Sequence, residues 1–260
     1  MAKYFGTDGI RGRYGIELNN SIAFKLGQSL KSVLGTERLV IGMDTRESGS
    51  ELLYSVASGA QSMKIDVMIA GVVSTPLISH YSKEKGITGV MITASHNPYT
   101  DNGLKVFNKG NKLLESEELA IEKHIDDKEK FNITNIGKTY SGEEVLDLYA
   151  DLIESLDLEE IDLKVGYDSA NGANFLIAKG IIEELCIESY QIGNTPDGKN
   201  INLNCGSTHL ESIKELVIEK KLDIGLSFDG DGDRILVIDQ DGDEIDGDLL
   251  IYILATYLKE

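Results

Sequence analysis

An α/β fold of two tandem three-layer domains with mainly parallel sheets is predicted by three features of the sequence. Short apolar runs alternate with helix-patterned stretches, a polar aperiodic segment separates two such series, and loops rich in Ser, Asp and Gly follow the apolar runs. The first series begins with RLVIGM, Arg38–Met43, a buried strand, followed by Asp44-Thr45-Arg46-Glu47-Ser48 and a helical pattern through Leu52, Val56, Ala57, Ala60 and Met63. Residues 65–71 read as a second strand, 76–85 as a second helix and 86–94 (GITGVMITA) as a third strand. Strands alternating with helices imply βαβ crossovers.

Periodicity is lost from 126 to 142, most clearly across FNITNIGKTYSG, where the first unit is expected to end. A helix over 143–156 follows; its pattern is compatible with packing on either unit. A second series then runs through strand 164–169, helix 173–185, strand 188–193, helix 210–221 and strand 223–228. Asp241-Gly242 between 235–238 and Glu244-Ile245 signals a hairpin, and a helix over 247–260 that stops without a cap reads as the opening of a third unit. The expected domains are therefore 1–153 and 154–260, the latter including that opening.

Composition bounds the function. With 260 residues and 41% hydrophobic content, the chain is expected to bury one large or two medium cores. A net charge of −19 disfavours nucleic acid and anionic membranes, whose fields would repel it. Apolar stretches such as 249–258 fall well short of the ~20 residues of a membrane span. MAKYF opens no signal-like run, so a cytoplasmic location is expected. Cys186 and Cys205 lack CxxC spacing and read as buried or incidental thiols. A small anionic substrate needs locally gathered cations or a bound metal.

The sharpest motif is Phe228-Asp229-Gly230-Asp231-Gly232-Asp233-Arg234, three carboxylates at alternate positions directly after an apolar strand. The glycines let the backbone curl so that three oxygens face one hard cation. A solvated acidic turn is the alternative, but carboxylates this close repel unless a cation offsets them. An EF-hand is excluded because Arg234 and Gln240 stand where Gly and Glu are required.

Thr93-Ala94-Ser95-His96-Asn97-Pro98 places a hydroxyl at the loop after a strand, where open α/β sheets bind ligands. Ser95 reads as a nucleophile or phosphoryl carrier, or else as a turn serine. His96 by itself is open to a structural reading. Asp101-Asn102-Gly103-Leu104-Lys105 reads as a hairpin-type turn leading to a lysine that could move protons if its pKa were lowered. Gly6-Thr7-Asp8-Gly9-Ile10-Arg11-Gly12 is a glycine-rich turn whose Arg11 suits phosphate, with a flexible terminal loop as the alternative. GNTPDGK over 193–199 mimics a P-loop, but Asn200 replaces the required Ser or Thr, so no nucleotide site is expected there.

Together TASHNP, DNGLK and FDGDGDR resemble the α-D-phosphohexomutases, and the opening KYFGTDGIRG is similar to the branch of that family that works on glucosamine phosphates. The resemblance runs through the whole sequence but reaches only the first two of the family's four domains and the opening of the third. It implies that Ser95 is the phosphoserine, borne by the first domain, and that Asp229, Asp231 and Asp233 hold Mg²⁺ together with a Ser95 phosphate oxygen. Arg11 and Arg234 look like phosphate-binding neighbours; Lys105 and His96 look like the proton-handling and electrostatic groups beside Ser95. The implied reaction interconverts glucosamine 6-phosphate and glucosamine 1-phosphate through a 1,6-bisphosphate, with a phosphorylated amino sugar as partner.

Little turnover is expected from these residues alone, since segments that clamp the distal phosphate find no counterpart. A homodimer is a further partner expectation, although the residues leave the oligomeric state open. Phosphomannomutase or phosphoglucomutase activity, or a non-catalytic metal or phosphosugar-binding role, are the alternatives. A haloacid-type phosphatase would use an aspartyl nucleophile and leave the serine loop unexplained.

Overall fold

A computed structural model describes residues 3–127, 135–158 and 161–259, apart from the side chain of Ile187. The first unit contains β1 (Phe5–Gly6), β2 (Gly9–Arg13), α1 (Asn20–Leu34), β3 (Arg38–Met43), α2 (Gly49–Ser62), β4 (Asp66–Val72), α3 (Thr75–Lys85), β5 (Thr88–Ile92), β6 (Asp101–Asn108), β7 (Asn111–Lys112), α4 (Glu115–Asp126), β8 (Thr139–Ser141) and α5 (Glu144–Glu154). Its sheet runs β1-β2-β6-β5-β3-β4-β8, with β7 against β6. Successive β3 residues point to opposite faces: Leu39 and Ile41 join α1, α2 and α4, whereas Val40 joins α3 and α5. Three layers result.

The parallel character expected from the sequence is confined to the β5-β3-β4-β8 half of this sheet. β1, β2, β6 and β7 pair antiparallel, because the short loop 93–100 returns the chain directly beside β5. Asp101-Asn102-Gly103 is accordingly not a turn but the start of strand β6, hemmed in by β2 and β5. A Cβ on Gly103 would lie 2.4 Å from the Thr93 carbonyl oxygen and 2.9 Å from that of Ile10. Gly103→Ala is therefore expected to cost about 1–3 kcal/mol of stability, lowering the thermal midpoint; an unchanged midpoint would contradict this packing.

The glycine-rich start is a β1–β2 hairpin, so Arg11 lies on a strand rather than in a turn. It pairs with Gly103, two residues from Lys105 on the neighbouring strand, which puts both cations on one face. Within the polar stretch read as the unit's end, residues 128–134 lie outside the described region, while 139–141 form β8 and extend the first sheet. α5 packs with the first unit: Val145, Leu148 and Tyr149 meet Leu77, Ile78 and Tyr81 of α3, and the Tyr81 hydroxyl donates to Glu144.

The second unit contains β9 (Ile161–Asp168), α6 (Ile177–Leu185), β10 (Cys186–Ile192), α7 (Glu211–Lys220), β11 (Ile224–Phe228), β12 (Ile235–Asp239), β13 (Glu244–Ile245) and α8 (Gly247–Tyr257). Its sheet order is β10-β9-β11-β12-β13, parallel through β11 and antiparallel beyond it. Ala178 and Ile182 of α6 cover one face, Ile213 and Val217 of α7 the other. α6 begins later than the pattern suggests. Ala170 and Asn171 adopt left-handed φ of 56° and 48°, and the Ala173 N–H donates to the Gly230 carbonyl, so this stretch follows the neighbouring loop instead of starting a helix. The β12–β13 hairpin forms as expected, with Gly242 at φ 84°. α8 is capped at its start by Asp246 and buries no residue. Among the described residues, no helix is long and apolar enough to cross a membrane.

Candidate active site

Each unit extends a loop from the C-terminal end of a central strand: 93–100 after β5 and 229–234 after β11. They meet at Ser95, which is fully buried and held at a left-handed φ of 53°. Its hydroxyl donates to Asp229 Oδ2 at 2.6 Å and lies 3.3 Å from His96 Nδ1. Burial, with Arg234 and Arg11 nearby, pushes the His96 imidazole below its ordinary pKa, favouring the neutral ring.

Asp231 is equally buried. Its Oδ2 accepts from Thr75 Oγ1 at 2.5 Å and Lys105 Nζ at 2.7 Å, while its Oδ1 is buried and, among the described residues, accepts from no cation, hydroxyl or N–H. Carboxylate oxygens of Asp229, Asp231 and Asp233 lie within 4.8 Å of one another. Lys105 Nζ joins Asp231 to Asp233 and Asp8, lying 2.9 Å from each of the latter two. Three carboxylates converge here while Lys105 contacts two of them, and the Asp231 Oδ1 adds an unused acceptor. Both observations fit a cation held by Asp229, Asp231 and Asp233.

The titration pattern follows from this crowding. Burial opposes charge on Lys105, but Asp231 and Asp233 outweigh it and raise the pKa. Asp231 is raised by burial yet lowered overall by Lys105 and Thr75. Asp8 likewise stays well below the carboxylate range, because Lys105 and Lys112 overcome its desolvation.

Asp229, without a cationic contact of its own, is pushed up to about 7 by burial and then by the charge of Asp231. Between its ordinary 3.8 and that value the folded chain keeps a proton that the unfolded chain has released. The stabilising contribution is therefore present below about 3.8 and is lost as pH rises through about 7. A cation bound by the carboxylates displaces that proton and reverses the trend. Melting midpoints in EDTA are expected to fall from about pH 5 to about pH 8, with Asp229→Asn flattening the slope and Mg²⁺ raising the midpoint more at the higher pH. Equal slopes for parent and variant would contradict the assignment.

Arg11 donates through Nη2 to Asp8 at 2.5 Å, while its Nε is buried without a partner among the described residues. Arg234 is more exposed, its Nε 3.8 Å from Asp233. The structure thus gathers Ser95, His96, Lys105, Arg11, Arg234 and the three aspartates at one seam. Sequence reasoning missed several groups that build it: Asp8, Thr75, the buried Asp44–Arg46 pair and Asn202. Thr75 opens α3, and its N–H also donates to the Asp231 carbonyl, tying the metal-type loop to the first unit. An apolar cleft of about 540 Å³ between α5 and α6 contains none of the seam residues; the convergent polar chemistry lies elsewhere.

Two three-layer α/β units with a buried hydroxyl against a carboxylate triad define the phosphohexomutase class of architecture. The chain belongs to the phosphoglucomutase/phosphomannomutase family: residues 2–132 match its alpha/beta/alpha domain I and residues 147–242 its alpha/beta/alpha domain II. Curated relatives named phosphoglucosamine mutase include those of Shouchella clausii, 40% identical, and Streptococcus sanguinis, 42% identical. Each alignment covers 100% of this chain and 60% of the relative, so the chain spans about 60% of their length. A crystal structure of a phosphoglucomutase/phosphomannomutase family protein from Burkholderia thailandensis superposes with a TM-score of 0.87 at 27% identity, covering 99% of this chain and 59% of that one.

Proposed function

We propose that this chain carries the phosphoryl-acceptor serine and the metal loop of a phosphoglucosamine mutase, interconverting glucosamine 6-phosphate and glucosamine 1-phosphate through phosphorylated Ser95 and a 1,6-bisphosphate. The observation that carries this reading is the 2.6 Å bond from Ser95 Oγ to Asp229 inside a carboxylate triad with an orphaned oxygen. The domain boundary is placed at 153/154, at the end of α5.

In the proposed transfer, Ser95 Oγ forms a bond to phosphorus as the bond from phosphorus to the sugar oxygen breaks. Since Asp229 would hold the cation, the hydroxyl proton would leave toward His96 Nδ1, 3.3 Å away, in the tautomer that leaves that nitrogen unprotonated, and the departing sugar oxygen would gain a proton from His96 or solvent. Asp229, Asp231 and Asp233 would hold Mg²⁺, which when bound supplies charge stabilisation for the transferred group. Lys105, kept cationic, orients Asp231 and Asp233. Arg11 offers its unpartnered Nε, and Arg234 a largely exposed guanidinium, to phosphate oxygens.

The favoured partner is a phosphorylated amino sugar, with a cytoplasmic location and a homodimer as further parts of the proposal; nucleic acid and membranes are disfavoured by the charge of −19. Relatives named phosphoglucosamine mutase support the amino sugar over mannose or glucose. Offering the Mg²⁺-loaded chain glucosamine, glucose and mannose 1,6-bisphosphates, with phosphate uptake followed by intact mass, tests this. Fastest uptake from the glucosamine compound is expected; preference for mannose or glucose would move the chain to another branch.

A further inference from the structure

The Ser95 loop is held from beneath by a group with no assigned role. Arg46, in the turn after β3, is almost entirely buried and paired to Asp44 at 2.9 Å. The rest of its guanidinium faces backbone carbonyls of one loop. Nη2 donates to Ser95 O and Asn97 O, both at 2.8 Å, and Nη1 donates to Asp101 O at 3.0 Å and to Pro98 O. Asp44 completes the frame: its Oδ2 accepts from Thr93 Oγ1 at 2.6 Å, and that same oxygen of Thr93 accepts from the Ser95 N–H at 2.8 Å. Ser95 is therefore held at its carbonyl by Arg46 and at its N–H by Thr93, whose hydroxyl Asp44 orients.

The second unit adds an anchor to the same atom. Asn202 Nδ2 donates to Ser95 O at 2.9 Å and Asn97 O at 3.2 Å. Around Arg46, Thr45 Oγ1 donates to Asn171 O at 2.5 Å and the Glu47 N–H to Gly198 O at 2.9 Å, so this turn is also where the units are pinned together. A non-glycine residue in the left-handed region is costly unless its surroundings over-determine it. Here the carbonyl of Ser95 is fixed by donors from both units.

We propose that Arg46 is a positioning residue for phosphoryl transfer at Ser95, with Asn202 as its counterpart in the second unit. By clamping the Ser95 carbonyl, the pair holds the left-handed turn that aims Oγ at Asp229. A guanidinium suits this task because its planar fork reaches several acceptors in fixed directions; a lysine ammonium cannot span the same carbonyls. The proposal rests on Ser95 being the phosphoryl acceptor, but the geometric part can be tested without that assumption.

The test compares the full chain with Arg46→Lys, which keeps a cation against Asp44, and Asn202→Gly, which tolerates the φ of 57° at that position while removing the amide. Three quantities are read: hydrogen exchange over 93–102, Mg²⁺ affinity by calorimetry, and the rate of Ser95 phosphorylation from glucosamine 1,6-bisphosphate. Exchange is expected to accelerate in 93–102 in both variants, and phosphorylation to slow by about 100-fold in Arg46→Lys and about 10-fold in Asn202→Gly. Mg²⁺ affinity should stay within about threefold, since neither residue touches the triad. Wild-type exchange in this loop, or wild-type phosphorylation by a folded Arg46→Lys chain, would overturn the proposal. Should Arg46→Lys fail to fold, Asn202→Gly decides by the same readouts. If the parent chain takes up no phosphate, the acceptor reading of Ser95 falls, while the exchange comparison still decides whether Arg46 and Asn202 fix this loop.

Discussion

Ser95→Ala should reduce phosphate uptake from glucosamine 1,6-bisphosphate to background while leaving the fold and the Mg²⁺ affinity nearly intact. The hydroxyl is the group placed against Asp229, at 2.6 Å. Alanine preserves the Cβ and the backbone grip of Arg46, Thr93 and Asn202, which act on the Ser95 N–H and carbonyl. What is lost is one donor to a buried carboxylate, a cost of about 1–3 kcal/mol. Thermal melting and calorimetry check the retained fold and metal affinity, and intact mass checks the lost uptake. Continued uptake by the variant at the parent rate would remove Ser95 from the chemistry.

The second large effect is expected at Asp231. This carboxylate carries three duties: it pairs with Lys105, accepts from Thr75 across the seam, and presents an unpartnered oxygen to the triad. Asp231→Asn keeps the shape but removes the charge, so Mg²⁺ affinity should fall by about 100-fold or more. Stability should fall as well. Breaking a buried pair commonly costs about 3–5 kcal/mol, but Lys105 keeps Asp233 and Asp8 at 2.9 Å each, which places this variant near the lower end. Calorimetric titration with Mg²⁺ and thermal melts read the two effects separately. Parent-like Mg²⁺ affinity would show that the triad is not the metal site.

The central βα series was legible because its signals are local. Arg38–Met43 and Thr88–Ile92 are apolar runs, and α2 and α3 carry the helical pattern between them. The antiparallel half of the first sheet was not. Asp101-Asn102-Gly103 has the composition of a hairpin turn, and only the closeness of β2 and β5 makes it a strand. Three exposed residues at 139–141 became β8 by pairing with β4, which no periodicity in so short a stretch can signal.

The site divides in the same way. Asp229, Asp231 and Asp233 announce themselves by spacing, and Ser95 by its loop, but their meeting across 134 positions is a property of the packed units. Arg46 gave less warning still. Within Asp44-Thr45-Arg46 it reads as part of a strand-to-helix turn, and its importance lies in carbonyls of a loop about fifty residues away. A buried arginine is identified by its acceptors, and backbone acceptors leave no mark in a sequence. Lys105 was marked by its motif, but the three carboxylates that meet it come from other segments and leave no sign in DNGLK itself.

The central claim is that Ser95 and the 229–234 loop form one metal-assisted phosphoryl-acceptor site. Its most direct test is peptide mapping of the chain after incubation with glucosamine 1,6-bisphosphate, with Mg²⁺ in one sample and EDTA in the other. A single phosphate on Ser95, formed with Mg²⁺ and absent with EDTA, is the expected result; phosphate at another residue, equal labelling in EDTA, or no phosphate in either sample would contradict the claim.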